Sequence, residues 1–320
     1  MGYSPNIPNF LIYIFNNREF RLTTLVIVGN GFDIQNGLPT NYVNFYRKYN
    51  NQLYDHFVHF PGFFEDQEWS KFEENLGVFD EDNFRENAAW EPSMDDMIES
   101  SKYVNGYNDE ISQKVDELVG EIKRAFTTWI GGIDVKKATK FMEFPRGFKF
   151  INFNYTSTLQ DVYSVPDEDV LHIHGKASWN VIFGHSNQSS SVGPNHDEDE
   201  PWFEDSYQTL ASVTKEFHKP VNEILHKHRE HLEKYCDVTK IIVLGHSIND
   251  IDIPYFKCIL NAYPNAVWRN WNHKCAENDG VSDTHDKLLS LGVPREKLCS
   301  LSSKKLRRAY PISLDLAPAL

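Results

Sequence analysis

No Cys-x-x-Cys pair occurs in this 320-residue chain. Its four cysteines, Cys236, Cys258, Cys275 and Cys299, are scattered through the last third. That spacing argues against a zinc module and against a disulfide framework. No apolar run approaches the ~18 residues that a membrane span needs. The run Phe10-Leu11-Ile12-Tyr13-Ile14-Phe15 has no basic segment before it and no obvious small-residue cleavage site after it, so it does not read as a signal peptide. These absences predict a cytoplasmic protein with reduced thiols and no membrane partner. Positive charge is also short, with 32 Lys and Arg against 46 Asp and Glu and a net charge of −14. A field of that sign repels a phosphate backbone, so nucleic acid is disfavoured as the main partner. The basic run Lys304-Lys305-Leu306-Arg307-Arg308 is too short to reverse it. Aromatic side chains are plentiful at 14%, which predicts a core packed heavily with rings.

Strands are expected at Thr24–Val28, Phe148–Phe153, Val170–Ile173, Val181–Phe183, Lys240–Leu244 and Ala266–Trp271, where β-branched and aromatic residues run together. Helices are expected after Thr40 as an N-cap, over Ser206–Lys234, over Pro254–Ala262 and over Asp286–Leu291. Between residues 50 and about 135 lies a helical, acidic insertion. Its clearest helix runs from about Asn108 to Ile130, with Ile111, Val115, Leu118, Val119, Ile122, Phe126, Trp129 and Ile130 at helical spacing. Asp80–Ser101 reads as an acidic loop with short helices, and 186–204 as a mobile polar loop. Residues 1–22 read as a leader, 23–302 as one domain and 303–320 as a tail. Alternating strands and helices predict an α/β fold, a Rossmann-like, mostly parallel sheet whose helical insertion could cap a pocket.

Ligands of open parallel sheets bind outside the carboxyl ends of the strands. Four strands here end in unusual polar residues. The first gives Gly29-Asn30-Gly31-Phe32-Asp33, the second Asn152-Phe153-Asn154-Tyr155-Thr156, and the third His172-Ile173-His174-Gly175. The fourth gives Gly245-His246-Ser247 with Asn249, Asp250 and Asp252. Any one of them can be a cap, a tight turn or a satisfied core histidine. Together they point to one pocket.

Two common chemistries do not fit. Ile34 stands where the dinucleotide dehydrogenase fingerprint would place its third glycine, and no acidic strand end follows about 20 residues later. Gly245-His246-Ser247-Ile248-Asn249 lacks the last glycine of a nucleophile elbow. His172 and His174 alternate, so one of them is expected to face the pocket while the other supports it. A metal reading of the pair, with His185 or His246, lacks a cysteine or carboxylate set to complete it. His226, His228 and His231 do not share one helix face and read as solvated.

The ordered clusters, with Gly37-Leu38-Pro39-Thr40, Thr158-Leu159 and Trp69-Ser70-Lys71-Phe72-Glu73, resemble the AbiH family of bacterial abortive-infection proteins that act against phage. The resemblance covers roughly residues 24–300. More remotely, the chain is similar to sirtuin-like NAD-binding domains. That similarity implies that Gly29, Asn30, Gly31 and Asp33 form a nucleotide-binding loop. Asn154 then stands at the sirtuin asparagine, His174 at the catalytic histidine, and Gly245 and Ser247 in the second binding turn, with Thr156 and Asp252 nearby. Thr156 replaces the aspartate that sirtuins carry there, and the paired-cysteine zinc module is missing, which disfavours deacetylation. The implied activity is cleavage of NAD, as substrate, to nicotinamide and ADP-ribose. His174 would be the base near neutral pH, and Asn154 would orient a water or a ribose hydroxyl. Asp33 is left between a ribose contact and a cap, and Ser247 and the Gly31 backbone would hold phosphates. The expected partners are a small-molecule nucleotide and a phage-derived trigger; a homo-oligomer is compatible with the sequence. The rival readings are a nucleotide sensor without turnover, and a nuclease or metal-dependent hydrolase.

Overall fold

The computed structural model describes residues 23–63, 69–177, 179–186, 201–233, 235, 237–272 and 283–312. The expected leader and most of the polar 186–204 stretch lie outside the described residues. Six strands form one sheet: β1 (Thr23–Val28), β2 (Lys149–Asn152), β3 (Val170–His172), β4 (Val238–Leu244), β5 (Val267–Asn272) and β6 (Leu298–Ser302). The spatial order is β3-β2-β1-β4-β5-β6, and every pairing is parallel. The chain leaves β1 toward β2 on one side and returns to β4 on the other. That reversal opens a crevice beyond the ends of β1 and β4, the position where open α/β sheets take their ligands.

β1 reads Thr-Thr-Leu-Val-Ile-Val and its last five residues are buried, as a central strand covered on both faces requires. Leu25 and Ile27 join one core; Val26 and Val28 join the other. This is the two-residue alternation of a strand. The first core is covered by helices Val221–Glu233 and Ile253–Ala262, the second by Phe32, Met142, Leu159 and Leu306.

Eight helices position the site: α1 (Asn30–Gln35), α2 (Tyr42–Phe57), α3 (Ser101–Gly131), α4 (Glu204–Glu216), α5 (Val221–Glu233), α6 (Ile253–Ala262), α7 (Asp283–Ser290) and α8 (Ser303–Ala309). All eight apolar positions expected on the long insertion helix are buried on α3. They pack with Phe45, Phe57, Phe63, Phe72 and Phe183 into a third core, made mainly of rings. The Asp80–Ser101 stretch holds the short helices Glu81–Ala88 and Met94–Glu99. Among the described residues, no helix is long and apolar enough to cross a membrane.

Three local expectations are corrected. The helix after Thr40 is capped by Asn41, whose side chain accepts the Asn44 N–H at 3.0 Å. Val181–Phe183 is not a strand; it lies between Asn180 at φ 54° and Gly184 at φ 127°. Ser206–Lys234 is not one helix, because Pro220 cannot continue it and the chain breaks into α4 and α5 there. Two elements carried no usable sequence pattern, β6 and α8; Leu306 of α8 is 1% exposed and belongs to the core.

Candidate active site

Strand register decides what the crevice contains. Val28 pairs with Asn152 and with Leu244, and Asn152 pairs with His172. The four polar clusters therefore begin just beyond one row across the sheet. They line a cavity of about 540 Å³, a volume typical of small-molecule sites.

The glycines let two loops interlock. Gly29 N–H donates to Leu244 O at 3.0 Å and Gly31 N–H to Gly245 O at 2.7 Å. A Cβ on Gly29 would lie 2.6 Å from His246 Cα, and one on Gly31 2.8 Å from Gly245 O. Gly245, at φ +66°, would put a Cβ 2.3 Å from Phe32 N. These positions need glycine for close backbone approach. The Gly31 amide, expected to hold a phosphate, is instead engaged by Gly245. The Asn30 side chain is likewise turned inward: Nδ2 donates to Thr40 O at 2.9 Å, and Oδ1 accepts from Thr40 Oγ1 at 2.5 Å.

At the end of β2, Asn152 Oδ1 accepts the Asn154 N–H at 3.0 Å, and Asn154 Nδ2 donates to Gly29 O at 3.1 Å. His172 Nδ1 donates to Asn154 O at 3.2 Å, which leaves Nε2 to accept from Gln160 at 2.9 Å. His172 is thus neutral and supports Asn154 from behind. Burial, followed by the charge of Lys176, pulls its pKa down to about 4. Thr156 donates to Asp33 Oδ2 at 2.5 Å, across the β1–β2 boundary. The other oxygen, Asp33 Oδ1, is buried and has no hydrogen-bond partner among the described residues. Burial pushes the Asp33 pKa up to about 6, outweighing the hydrogen bond from Thr156.

His174 follows β3 and is 3% exposed. Its ring meets Phe153 at 5.4 Å and Tyr255 at 5.5 Å, both edge-on. Its Nε2 is buried without a hydrogen-bond partner among the described residues. Burial and then the nearby Lys219 ammonium hold its pKa well below the ordinary histidine value. The imidazole is therefore uncharged and weakly basic, which departs from the expected base near neutrality.

Beyond β4, His246 Nδ1 accepts the Ile248 N–H at 2.9 Å, so its proton sits on Nε2, 3.7 Å from Asp252 Oδ2. Ile248 reaches this position at φ 52°, a strained conformation for a β-branched residue. Burial lowers the His246 pKa to about 3 and raises that of Asp252 to about 7. Ser247 is exposed at the rim, and its carbonyl accepts from Lys287 at 3.3 Å.

The cavity brings together every residue expected at the site: Gly29, Asn30, Gly31, Asp33, Asn154, Thr156, His174, Gly245, Ser247 and Asp252. It also contains residues that the sequence did not assign to the site, two of them, Lys71 and Glu73, from the 69–73 motif. Glu73, reaching in from the insertion, pairs with Lys219 Nζ through Oε2 and accepts the Tyr42 hydroxyl at Oε1, 2.5 Å away. Lys219 is 2% exposed and sits in the break before α5. The signal for that break was Pro220. Lys71, Glu74 and Ile130 complete the insertion's share of the wall. Among the described residues, no three His, Cys, Asp or Glu side chains gather as a metal-ligand set. His185, considered above as a ligand, contacts Thr214 O through Nε2 at 2.7 Å.

A family model described as bacteriophage abortive infection AbiH matches residues 25–271. No curated protein matches the chain.

Proposed function

This chain belongs to the AbiH family of bacteriophage abortive infection proteins, and on that premise we propose that it hydrolyses NAD to nicotinamide and ADP-ribose. One observation carries the reading. Two buried polar atoms, Asp33 Oδ1 and His174 Nε2, lack hydrogen-bond partners among the described residues and belong to residues of the same cavity wall. An unmet buried polar group costs about 1–3 kcal/mol. A ligand rich in hydroxyl groups, such as a ribose, relieves that cost. The cavity lies at the strand-order reversal, where doubly wound sheets bind nucleotides.

In this reading, neutral His174 and Asn154 hold the ribose, and Asp33 Oδ1 accepts one of its hydroxyls. The carboxylates of the wall favour the positive charge that develops on the sugar as nicotinamide departs. The insertion covers one side of the cavity with Lys71, Glu73, Glu74 and Ile130, which shields those interactions in part from bulk water. The internally bonded Gly31 amide and the weak basicity of His174 favour a second reading, nucleotide binding without turnover, in which the protein acts as a sensor in defence.

The test is incubation of purified protein with NAD, with chromatography for nicotinamide and ADP-ribose and calorimetry for binding. Equal release of the two products supports hydrolysis. Binding without release supports the sensor. Neither binding nor release, with or without lysate from phage-infected cells to supply a trigger, overturns both.

A further inference from the structure

We propose that Asp252, oriented by His246, is the carboxylate that activates the attacking water; this rests on reading the cavity as an NAD hydrolase site. His174, the histidine that alignment of motifs favours, is sealed at 3% exposure beside Lys219, and burial keeps it uncharged and weakly basic. Asp33 is fully buried, and its Oδ2 is taken by the Thr156 hydroxyl. Asp252 differs from both. It lies in the same cavity wall at 9% exposure, and among the described residues its carboxylate makes no side-chain capping hydrogen bond to the helix it precedes.

The geometry around Asp252 is built. The Ile248 N–H occupies His246 Nδ1, so the Nε2 proton faces Asp252 Oδ2 across 3.7 Å. The His246 ring is clamped edge-on by Phe153 at 4.4 Å and by Phe256 at 5.0 Å. Strain at Ile248, φ 52°, is retained in a residue whose amide makes this contact. Strained backbone at a site of this kind marks a position the surrounding fold over-determines.

Charged and titratable groups face Asp252 from each side. Lys219, before α5, favours the carboxylate; Glu73 and Glu74, from the insertion, oppose it. Tyr42, Tyr155 and Tyr255 are un-ionised neighbours, their pKa values all raised above the ordinary tyrosine value. Burial is the larger influence and brings the Asp252 pKa to about 7, where a base is effective at neutral pH. In the reaction, the bond between ribose C1′ and the nicotinamide nitrogen breaks, and its electron pair neutralises the pyridinium. Water oxygen bonds to C1′ and its proton passes to Asp252, which returns it to solvent.

The test is the pH dependence of kcat and kcat/KM for the wild type, Asp252→Asn and His246→Gln, with KM for NAD and a melting curve for each. We expect Asp252→Asn to lower kcat by about 10²–10⁴-fold, the usual range for a lost general base, with KM changed by less than about threefold. The wild-type kcat/KM should fall on the acid side with a midpoint of about 7, and that limb should vanish in Asp252→Asn. His246→Gln should shift the limb and lower kcat by roughly tenfold. Should Asp252→Asn fail to fold, a limb unmoved by His246→Gln overturns the assignment. Wild-type kcat in folded Asp252→Asn, or an acid limb retained there, overturns it and leaves NAD hydrolysis standing. A wild type that binds NAD without releasing nicotinamide overturns both.

Discussion

The two walls of the cavity are backed on opposite terms. Behind the insertion wall, lined by Lys71, Glu73, Glu74 and Ile130, lies an aromatic core closed on itself: Phe126 stacks on Phe183 at 4.1 Å and on Phe72 at 5.6 Å, and all three are buried. The strand-end wall is made of glycine, amide, imidazole and carboxyl groups, and two of its buried polar atoms are unmet. One wall maximises its internal contacts; the other keeps hydrogen-bonding capacity in reserve. That difference separates the residues that hold the fold from those that can serve a ligand. The Glu73–Lys219 pair, reaching across 146 residues of sequence, is where the two walls meet.

The comparison can be broken first at its aromatic side. Phe126→Ala should cost about 3–5 kcal/mol of stability through lost contacts and an unfilled cavity, read by urea denaturation. A loss below about 1 kcal/mol would show that the ring core is not the stabilising half. Next, Glu73→Gln leaves the Lys219 ammonium buried without its countercharge and should cost about 3 kcal/mol. A negligible effect would mean the two walls are not joined there. Gly245→Ala should cost about 2–3 kcal/mol, because φ +66° and a 2.3 Å approach to Phe32 N exclude a side chain. Wild-type melting behaviour would contradict the interlock of the two loops.

Asp33→Asn should act in the opposite direction. The folded Asp33 pKa, about 6, lies above the ordinary aspartate value of 3.8. Its contribution to stability is therefore fully present below 3.8 and is lost as pH rises through about 6. At about pH 8 the variant should be more stable than the wild type by up to about 2 kcal/mol, and near pH 4 the gap should close. Denaturation curves with the same gap at both pH values would contradict the buried, underbonded carboxyl.

Much of this architecture was legible in the sequence. Val26-Ile27-Val28 and Ile241-Ile242-Val243 could only be buried strands, and the spacing on α3 allowed only one face. The rule that ligands sit beyond strand ends was enough to gather residues that line one cavity. Other features depend on contacts the sequence does not display. Val181–Phe183 has strand composition, yet it packs Phe183 into the ring core from irregular backbone. β6 reads Leu-Cys-Ser-Leu-Ser, with only its two ends buried, so no apolar run announces it. Glu73 and Lys219 look like surface charges until the fold joins them. The basicity of His174 was misjudged because a side chain's depth decides its pKa, and depth is a property of the fold.

The central claim concerns Asn154 and His174. Its most direct test is the rate of nicotinamide release from NAD by wild type, Asn154→Ala and His174→Ala, each shown by its melting curve to be folded. The account predicts release by the wild type and at least about 100-fold slower release by each variant. Turnover that survives both substitutions would contradict it.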